Sequence, residues 1–308
     1  MVARAHAGEH VAGVERLDEG LTNAVYRVTA IGSRESLAVR VFTNHHESMA
    51  KETAVLDALN GRLPVPERLA LHPADRMLPH ACAIYRWIPG ITLNKGRQQH
   101  PPVLGSLGAP IGALFATLAR CPLDIFRDDT RQRLQSPRSS IATTLDVTIG
   151  RLQRDRARSR LGPALADALV DRLRRRAIDL AALDSRTVLV HGDVSGRNVL
   201  VAAVNDRWRV AALLDWEHAF LGGALWDVGS LFRDPHPYSE RFRSGFEEGY
   251  RAAGGALPAD WRLVSRLLDA TRLVEIFDRA EDLPAVFREC QDLLETLVNE
   301  AGSGAPSL

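Results

Sequence analysis

The sequence predicts an α+β, bilobed chain. A small antiparallel sheet with one helix occupies residues 1–88, and a larger, mainly helical part occupies 89–308. Three observations carry this. Residues 11–42 alternate apolar and polar with β-branched enrichment, long helical periods take over after Gly90, and three short apolar runs between Thr187 and Leu214 interrupt them once. At 308 residues, 45% hydrophobic and 25% charged, the chain is large enough to bury a sizeable core.

Each element follows from its own pattern. Residues 11–17, 24–29 and 36–42, separated by Asp18-Glu19-Gly20 and Ile31-Gly32-Ser33, predict a three-stranded meander. From His46 the apolar residues Met49, Val55, Leu56 and Leu59 fall at helical spacing, and Gly61 supplies a stop. Leu63-Pro64-Val65-Pro66 forces extended chain, because a residue before proline is pushed out of the helical region. Residues 81–87 then predict a further strand ending at Pro89-Gly90. Helices are predicted over 104–119, 141–153 and 161–183, strands over 187–190, 199–203 and 209–214, and helix again over 225–232 and onward to a frayed tail at 302–308.

Charge and cysteine content narrow the function classes. The 39 Lys and Arg against 38 Asp and Glu leave a net charge of +1, which removes the overall electrostatic case for a nucleic-acid or membrane-surface protein. Only Lys51 and Lys95 are lysines, so chemistry that normally uses lysine must use arginine. Cys82, Cys121 and Cys290 are odd in number with no CxxC spacing, giving neither a disulfide framework nor a zinc site, and a cytoplasmic location is expected. The first residues lack the apolar core of a signal peptide, and no segment approaches the ~18 apolar residues needed to span a bilayer. Residues 131–176 hold twelve Arg against Asp146, Asp155, Asp167 and Asp171, but the interleaved Leu and Ala predict a solvated helix face rather than an RNA-binding surface.

The informative stretch is His191-Gly192-Asp193-Val194-Ser195-Gly196-Arg197-Asn198, set between two predicted strands and followed by Leu214-Asp215-Trp216-Glu217. Phosphoryl transfer needs one carboxylate to orient the attacking hydroxyl and take its proton, together with oxygen ligands for magnesium. Asp193 as base, with Asn198 and Asp215 as metal ligands, meets both needs. The order Asp, Asn five residues on, then a second Asp on a later strand is that of the protein-kinase catalytic core. Asp and Asn are also common turn formers, so the strand context is what gives the pattern its meaning.

With these residues the chain resembles the aminoglycoside phosphotransferase family of the protein-kinase-like superfamily, which carries HGDxxxxN followed by LDWE. The resemblance implies a kinase-like fold that takes ATP, with GTP as an alternative, together with Mg2+, and phosphorylates a hydroxyl of a small molecule. It also implies Asp193 as catalytic base and Asn198 and Asp215 as metal ligands. Ser195 stands where protein kinases usually carry lysine, and LDWE replaces DFG with no APE downstream, which favours a small-molecule acceptor over a protein.

The small lobe is expected to hold the nucleotide through Asn23 in the turn after the first strand, Arg40 on the third strand, Glu52 on the following helix as its partner, and Arg86 and Ile88 at the interlobe hinge. Arg40 takes the place of the kinase lysine, offering the same charge on a bidentate fork. Asp227, in a stretch from Gly223 to Gly229 that resembles the family's Gly-x-x-x-x-Asp-Leu-Ala element, and His191 are assigned structural roles. For the acceptor, Glu217 and the C-terminal acids Glu275, Asp278 and Asp282, about one turn apart, are candidates for binding ammonium groups of a cationic compound. A metabolic sugar, amino alcohol or homoserine-like acceptor, and a nucleotide-binding regulator without turnover, are the alternatives. The chain is expected as a monomer or homodimer without nucleic-acid or membrane partners.

Overall fold

The structure is a computed structural model that describes residues 11–17, 24–30, 35–43, 46–76, 78–99, 105–154, 156–205, 207–233 and 238–299. Five antiparallel strands, β1 (Val11–Leu17), β2 (Ala24–Ala30), β3 (Ser36–Phe42), β4 (Arg68–His72) and β5 (Ala81–Arg86), form a sheet in the order β1-β2-β3-β5-β4. The alternation within β3 sorts its side chains. Val39 packs with Val28, Cys82 and Ile84 in a small outer cluster, while Phe42 joins the main core. Arg40 shares the Phe42 face by the same two-residue period, and in register it lies opposite Val25 and Ala83. Helix α1 (His46–Leu59) covers that face, with Glu52, Val55, Leu56 and Leu59 buried along one stripe.

The rest of the chain is mainly helical: α2 (Leu93–Gln99), α3 (Gly108–Leu118), α4 (Asp128–Leu134), α5 (Ile141–Arg154), α6 (Arg156–Leu161), α7 (Pro163–Ala181), α8 (Leu225–Leu231), α9 (Glu240–Ala252), α10 (Trp261–Phe277) and α11 (Pro284–Asn299). Two small sheets lie among them. Strand β6 (Ile91–Thr92) pairs with β8 (Val199–Val204), which forms a hairpin with β9 (Arg207–Leu213), and β7 (Val188–Val190) pairs with β10 (Phe220–Gly222). The crossing of α3 and α9 is glycine-mediated: a Cβ on Gly112 would stand 2.0 Å from the Phe246 carbonyl oxygen, and one on Gly249 2.0 Å from that of Ala109. The main core runs without a break from α1 through α11.

The predicted class and the predicted strand and helix order are present, with six additions. Strand β4, strands β6 and β10, and helices α2, α4 and α6 were not predicted. The two strands are only two and three residues long, too short to show a period, and α2, LNKGRQQ, carries no apolar stripe. The helix predicted over 161–183 starts at Pro163 instead, because Gly162 adopts a φ of 82° and separates it from the short helix that ends at Leu161. No helix among the described residues is long and apolar enough to cross a membrane.

Candidate active site

The loop from His191 to Asn198 joins β7 to β8 and is anchored from beneath. Asp227, buried in the first turn of α8, accepts hydrogen bonds from the backbone N–H of His191 (2.8 Å) and of Gly192 (2.9 Å). The buried His191 ring joins this loop to the next. Its Nδ1 accepts from the Asp193 N–H at 3.3 Å, so the ring proton lies on Nε2, which donates to the Leu214 carbonyl at 2.8 Å. Leu214 is the residue before Asp215, so one imidazole fixes the spacing of the two aspartates.

Gly192 permits the turn. Its φ of 84° is left-handed, and a Cβ there would stand 2.3 Å from the His218 carbonyl oxygen. Asp215 is itself at φ 65°, an uncommon conformation for a residue with a side chain, in the turn after β9. Asn198 closes the constellation, since its Nδ2 donates to the Asp193 carbonyl (2.8 Å) and lies 3.4 Å from Asp193 Oδ2.

Arg40 connects the sheet to this loop. Its Nη1 lies 3.1 Å from Glu52 Oε1, and its Nη2 lies 2.7 Å from Asp215 Oδ1 and 3.4 Å from Glu217 Oε2. The ligand atoms of these three carboxylates lie within 4.8 Å of one another, and the guanidinium occupies the position of their counter-charge. Burial opposes the Arg40 charge, but the three acids together hold its pKa above the ordinary guanidinium value. Burial drives the fully enclosed Glu52 carboxyl up to about 7 against the pull of Arg40, with Asp215 and Glu217 adding to the rise.

The donor set fits magnesium. The Asn198 amide nitrogen is engaged by Asp193, which leaves its oxygen as a ligand, and Asp215 has one carboxylate oxygen on Arg40 and the other available. Amide and carboxylate oxygens with part-exposed surroundings are what a hydrated magnesium ion takes.

The remaining predicted residues fall in several places. Asn23 lies outside the described residues. The Arg86 side chain is exposed at the end of β5, held by Glu67 (2.7 Å) and Glu35 (2.8 Å), and its backbone N–H donates to Glu67. Ile88 is half-buried in the segment joining β5 to β6. Glu217 is buried beside Arg40. The three C-terminal acids do not share one helix face: α10 ends at Phe277, Asp278 caps it, and Asp282 is exposed in the loop beyond.

Two of these acids are already paired. Glu275 Oε2 accepts from Arg138 (2.7 Å) and from Arg272 (3.0 Å), and Asp278 lies 3.3 Å from Arg151.

Sequence patterning missed a second charged pair beside the catalytic loop. Arg233, directly after α8, grips the buried Asp269 with Nε at 2.9 Å and Nη2 at 2.5 Å, and its Nη1 stands 4.0 Å from Asp193 Oδ1. Nothing local announces a pair 36 residues apart on different elements; only the buried-face position of Asp269 on α10 hinted at it. A cavity of about 1020 Å³ lies between α7, α10 and α11, and Arg233 and Asp269 are among its lining residues.

A protein with a nucleotide-lobe sheet, a helical lobe and an HGDxxxxN loop facing LDWE belongs to the kinase-like phosphotransferases by fold. The model of the phosphotransferase enzyme family matches residues 13–265, and the chain belongs to that family. The viomycin phosphotransferase of Streptomyces vinaceus is 26% identical over 148 residues, which span 47% of this chain and 47% of that protein, so the chain matches about half the length of this curated relative.

Among solved structures the fold is similar to the GDP and kanamycin complex of APH(2'')-IIIa, with a TM-score of 0.72, 18% identity and 97% of each chain covered. It is also similar to a thermostable mutant of the aminoglycoside phosphotransferase APH(4)-Ia with AMP-PNP and hygromycin B (TM-score 0.67, 17% identity, 98% of this chain and 97% of that one). A macrolide 2'-phosphotransferase from Brachybacterium faecium gives a TM-score of 0.65 at 16% identity over 95% of this chain and 96% of that one.

Proposed function

We propose that this chain is a small-molecule kinase that transfers the γ-phosphoryl group of ATP to a hydroxyl of its acceptor. The single observation that carries the proposal is the convergence of the Asp193 carboxylate, the Asn198 amide and the Asp215 carboxylate, with Asp215 tied to Arg40 of the sheet lobe at 2.7 Å. Solved structures of similar fold hold GDP or AMP-PNP, which supports a nucleotide in the cleft.

In the proposed reaction Asp193 orients the acceptor hydroxyl and takes its proton. The hydroxyl oxygen forms a bond to the γ-phosphorus while the bond from that phosphorus to the bridging oxygen breaks, releasing ADP. Asn198 and Asp215 would hold magnesium, which when bound neutralises the phosphate oxygens. Arg40 steadies the phosphates while keeping Asp215 in place, and Glu52 fixes the guanidinium. Asp227 and His191 hold the loop, so that Asp193, Asn198 and Asp215 need little reorganisation.

The test is turnover by Asp193→Ala against a panel of hydroxyl compounds with ATP and with GTP. Loss of a general base lowers kcat by roughly 10²–10⁴, and nucleotide affinity should be retained. Wild-type turnover by the variant on the same acceptor removes Asp193 from the role. Nucleotide binding with no turnover on any acceptor favours the regulator instead.

A further inference from the structure

We infer that the acceptor carries a carboxylate, seated by Arg138 and Arg272 with the Trp226 indole N–H in a niche next to Asp193. This rests on phosphoryl transfer at Asp193.

The niche, a cavity of about 10 Å³, is bounded by Arg138, Arg272, Arg233, Trp226, Asp269 and Gly192, the last being the residue before Asp193. That volume takes one water or one oxygen of a larger group. Its charged lining is three arginines against one acid, Asp269. Asp269 is gripped by Arg233, whose Nη1 stands 4.0 Å from Asp193, and Glu275 meets Arg138 and Arg272 with the same oxygen, Oε2. Two guanidinium groups converging on one carboxylate leave one positive charge in excess. Trp226 adds an independent sign, because its side chain is buried and its Nε1–H has no acceptor among the described residues. A buried N–H without an acceptor is costly, and Trp226 is among the residues around the same niche.

Burial is the main cause that holds the neighbouring cations down. Arg272 adds to it at Arg138 against the pull of Glu275, Arg272 and Arg138 add to it at His218, which falls to about 4 against the pull of Asp193 and Asp215, and Arg138 adds to it at Lys51 against Glu217 and Glu52. An ammonium group brought here would meet arginine, whereas a carboxylate would take charge-assisted hydrogen bonds from Arg138 and Arg272 and the bond that Trp226 lacks.

The experiment uses the full chain saturated with an unreactive ATP analogue and magnesium, at fixed ionic strength. Binding of formate, and of D-gluconate, D-glucose and D-glucosamine as acidic, neutral and basic forms of one skeleton, is followed by calorimetry. We expect formate to bind, and gluconate to bind at least ~10-fold tighter than glucose or glucosamine. Arg138→Gln and Arg272→Gln should each lose that preference. Glu275→Gln, which releases both arginines, should strengthen formate and gluconate binding, an outcome that a misfolded variant does not produce. The inference is overturned by preference for glucosamine, by no binding of formate or gluconate, or by a preference that survives both arginine substitutions. Asp193-dependent turnover on polyamine sugars alone would overturn it while leaving phosphotransfer intact; failure to bind the nucleotide would count against phosphotransfer itself.

Discussion

Arg40 and Asp215, 175 residues apart in sequence, meet at 2.7 Å between the sheet lobe and the catalytic region, and the same guanidinium holds the buried Glu52 at 3.1 Å. One arginine therefore sets both Asp215, the proposed magnesium ligand, and the helix behind it. Arg40→Ala would leave a fully enclosed carboxylate without its partner, a change that costs roughly 3–5 kcal/mol when the acid stays charged. We expect a marked fall in the denaturation midpoint together with loss of nucleotide affinity. Arg40→Lys should recover part of the stability but not the simultaneous grip on Glu52 and Asp215. Unchanged unfolding of Arg40→Ala would show that the contact is not a structural one.

The pH dependence of stability should contain two opposing contributions. Glu52 titrates at about 7 when folded, against 4.5 when unfolded, so the folded chain holds the extra proton between those values. Its contribution is complete below pH 4.5 and is lost as pH rises through 7. His218 titrates at about 4 when folded, against 6.5 unfolded, because burial, Arg272 and Arg138 disfavour its charge. Its contribution is complete above pH 6.5 and is lost as pH falls through 4. Relative to wild type, Glu52→Gln should lose stability more steeply on acidification, and His218→Asn should lose it more steeply as pH rises toward 7. Urea titrations across pH 4–8 check both signs. Parallel curves for wild type and both variants would remove the two groups as the source.

Asp227 reaches no substrate-facing atom, yet it satisfies the N–H groups of His191 and Gly192 at 2.8 and 2.9 Å. Asp227→Ala would leave two donors unpaired, each costing about 1–3 kcal/mol. The expected outcome is a lowered Tm and a lower kcat, since the freed loop carries Asp193. A variant with normal Tm and normal kcat would show that the loop does not depend on this anchor.

How much of this was legible in the sequence depended on the distance between partners. Asp193 and Asn198 share one short loop, and Arg40 and Glu52 sit on consecutive elements, so a local motif and the resemblance to kinases it carries were enough to name them. Arg138 and Glu275 are 137 residues apart, and their contact depends on how the segment before α5 packs on α10. The same gap explains the acid-rich C-terminus. Counted along the chain, Glu275 and Asp278 look unneutralised, but their partners Arg138 and Arg151 come from the arginine-rich segment that local spacing assigned to solvent. Arg272 was closer, three residues before Glu275 on the same helix, and helical spacing alone supports that pair.

Gly192 gives the most localised test of the loop geometry. Its left-handed φ of 84° strains any residue with a Cβ, and that Cβ would meet the His218 carbonyl oxygen at 2.3 Å, a backbone atom that no side-chain rotation can move. Backbone strain of this kind costs about 1–3 kcal/mol where the surroundings hold it. Here relief requires the 216–218 turn to withdraw from the loop. Because Asp215 precedes that turn, the separation of Asp193 from Asp215 would change as well. Gly192→Ala is therefore expected to lower kcat and the affinity for magnesium nucleotide together, by more than its loss of Tm alone explains. The check is kinetic and calorimetric measurement well below the melting transition, where the protein is fully folded. Wild-type kinetics in a merely destabilised Gly192→Ala would separate the turn from the chemistry and leave the glycine a folding role only.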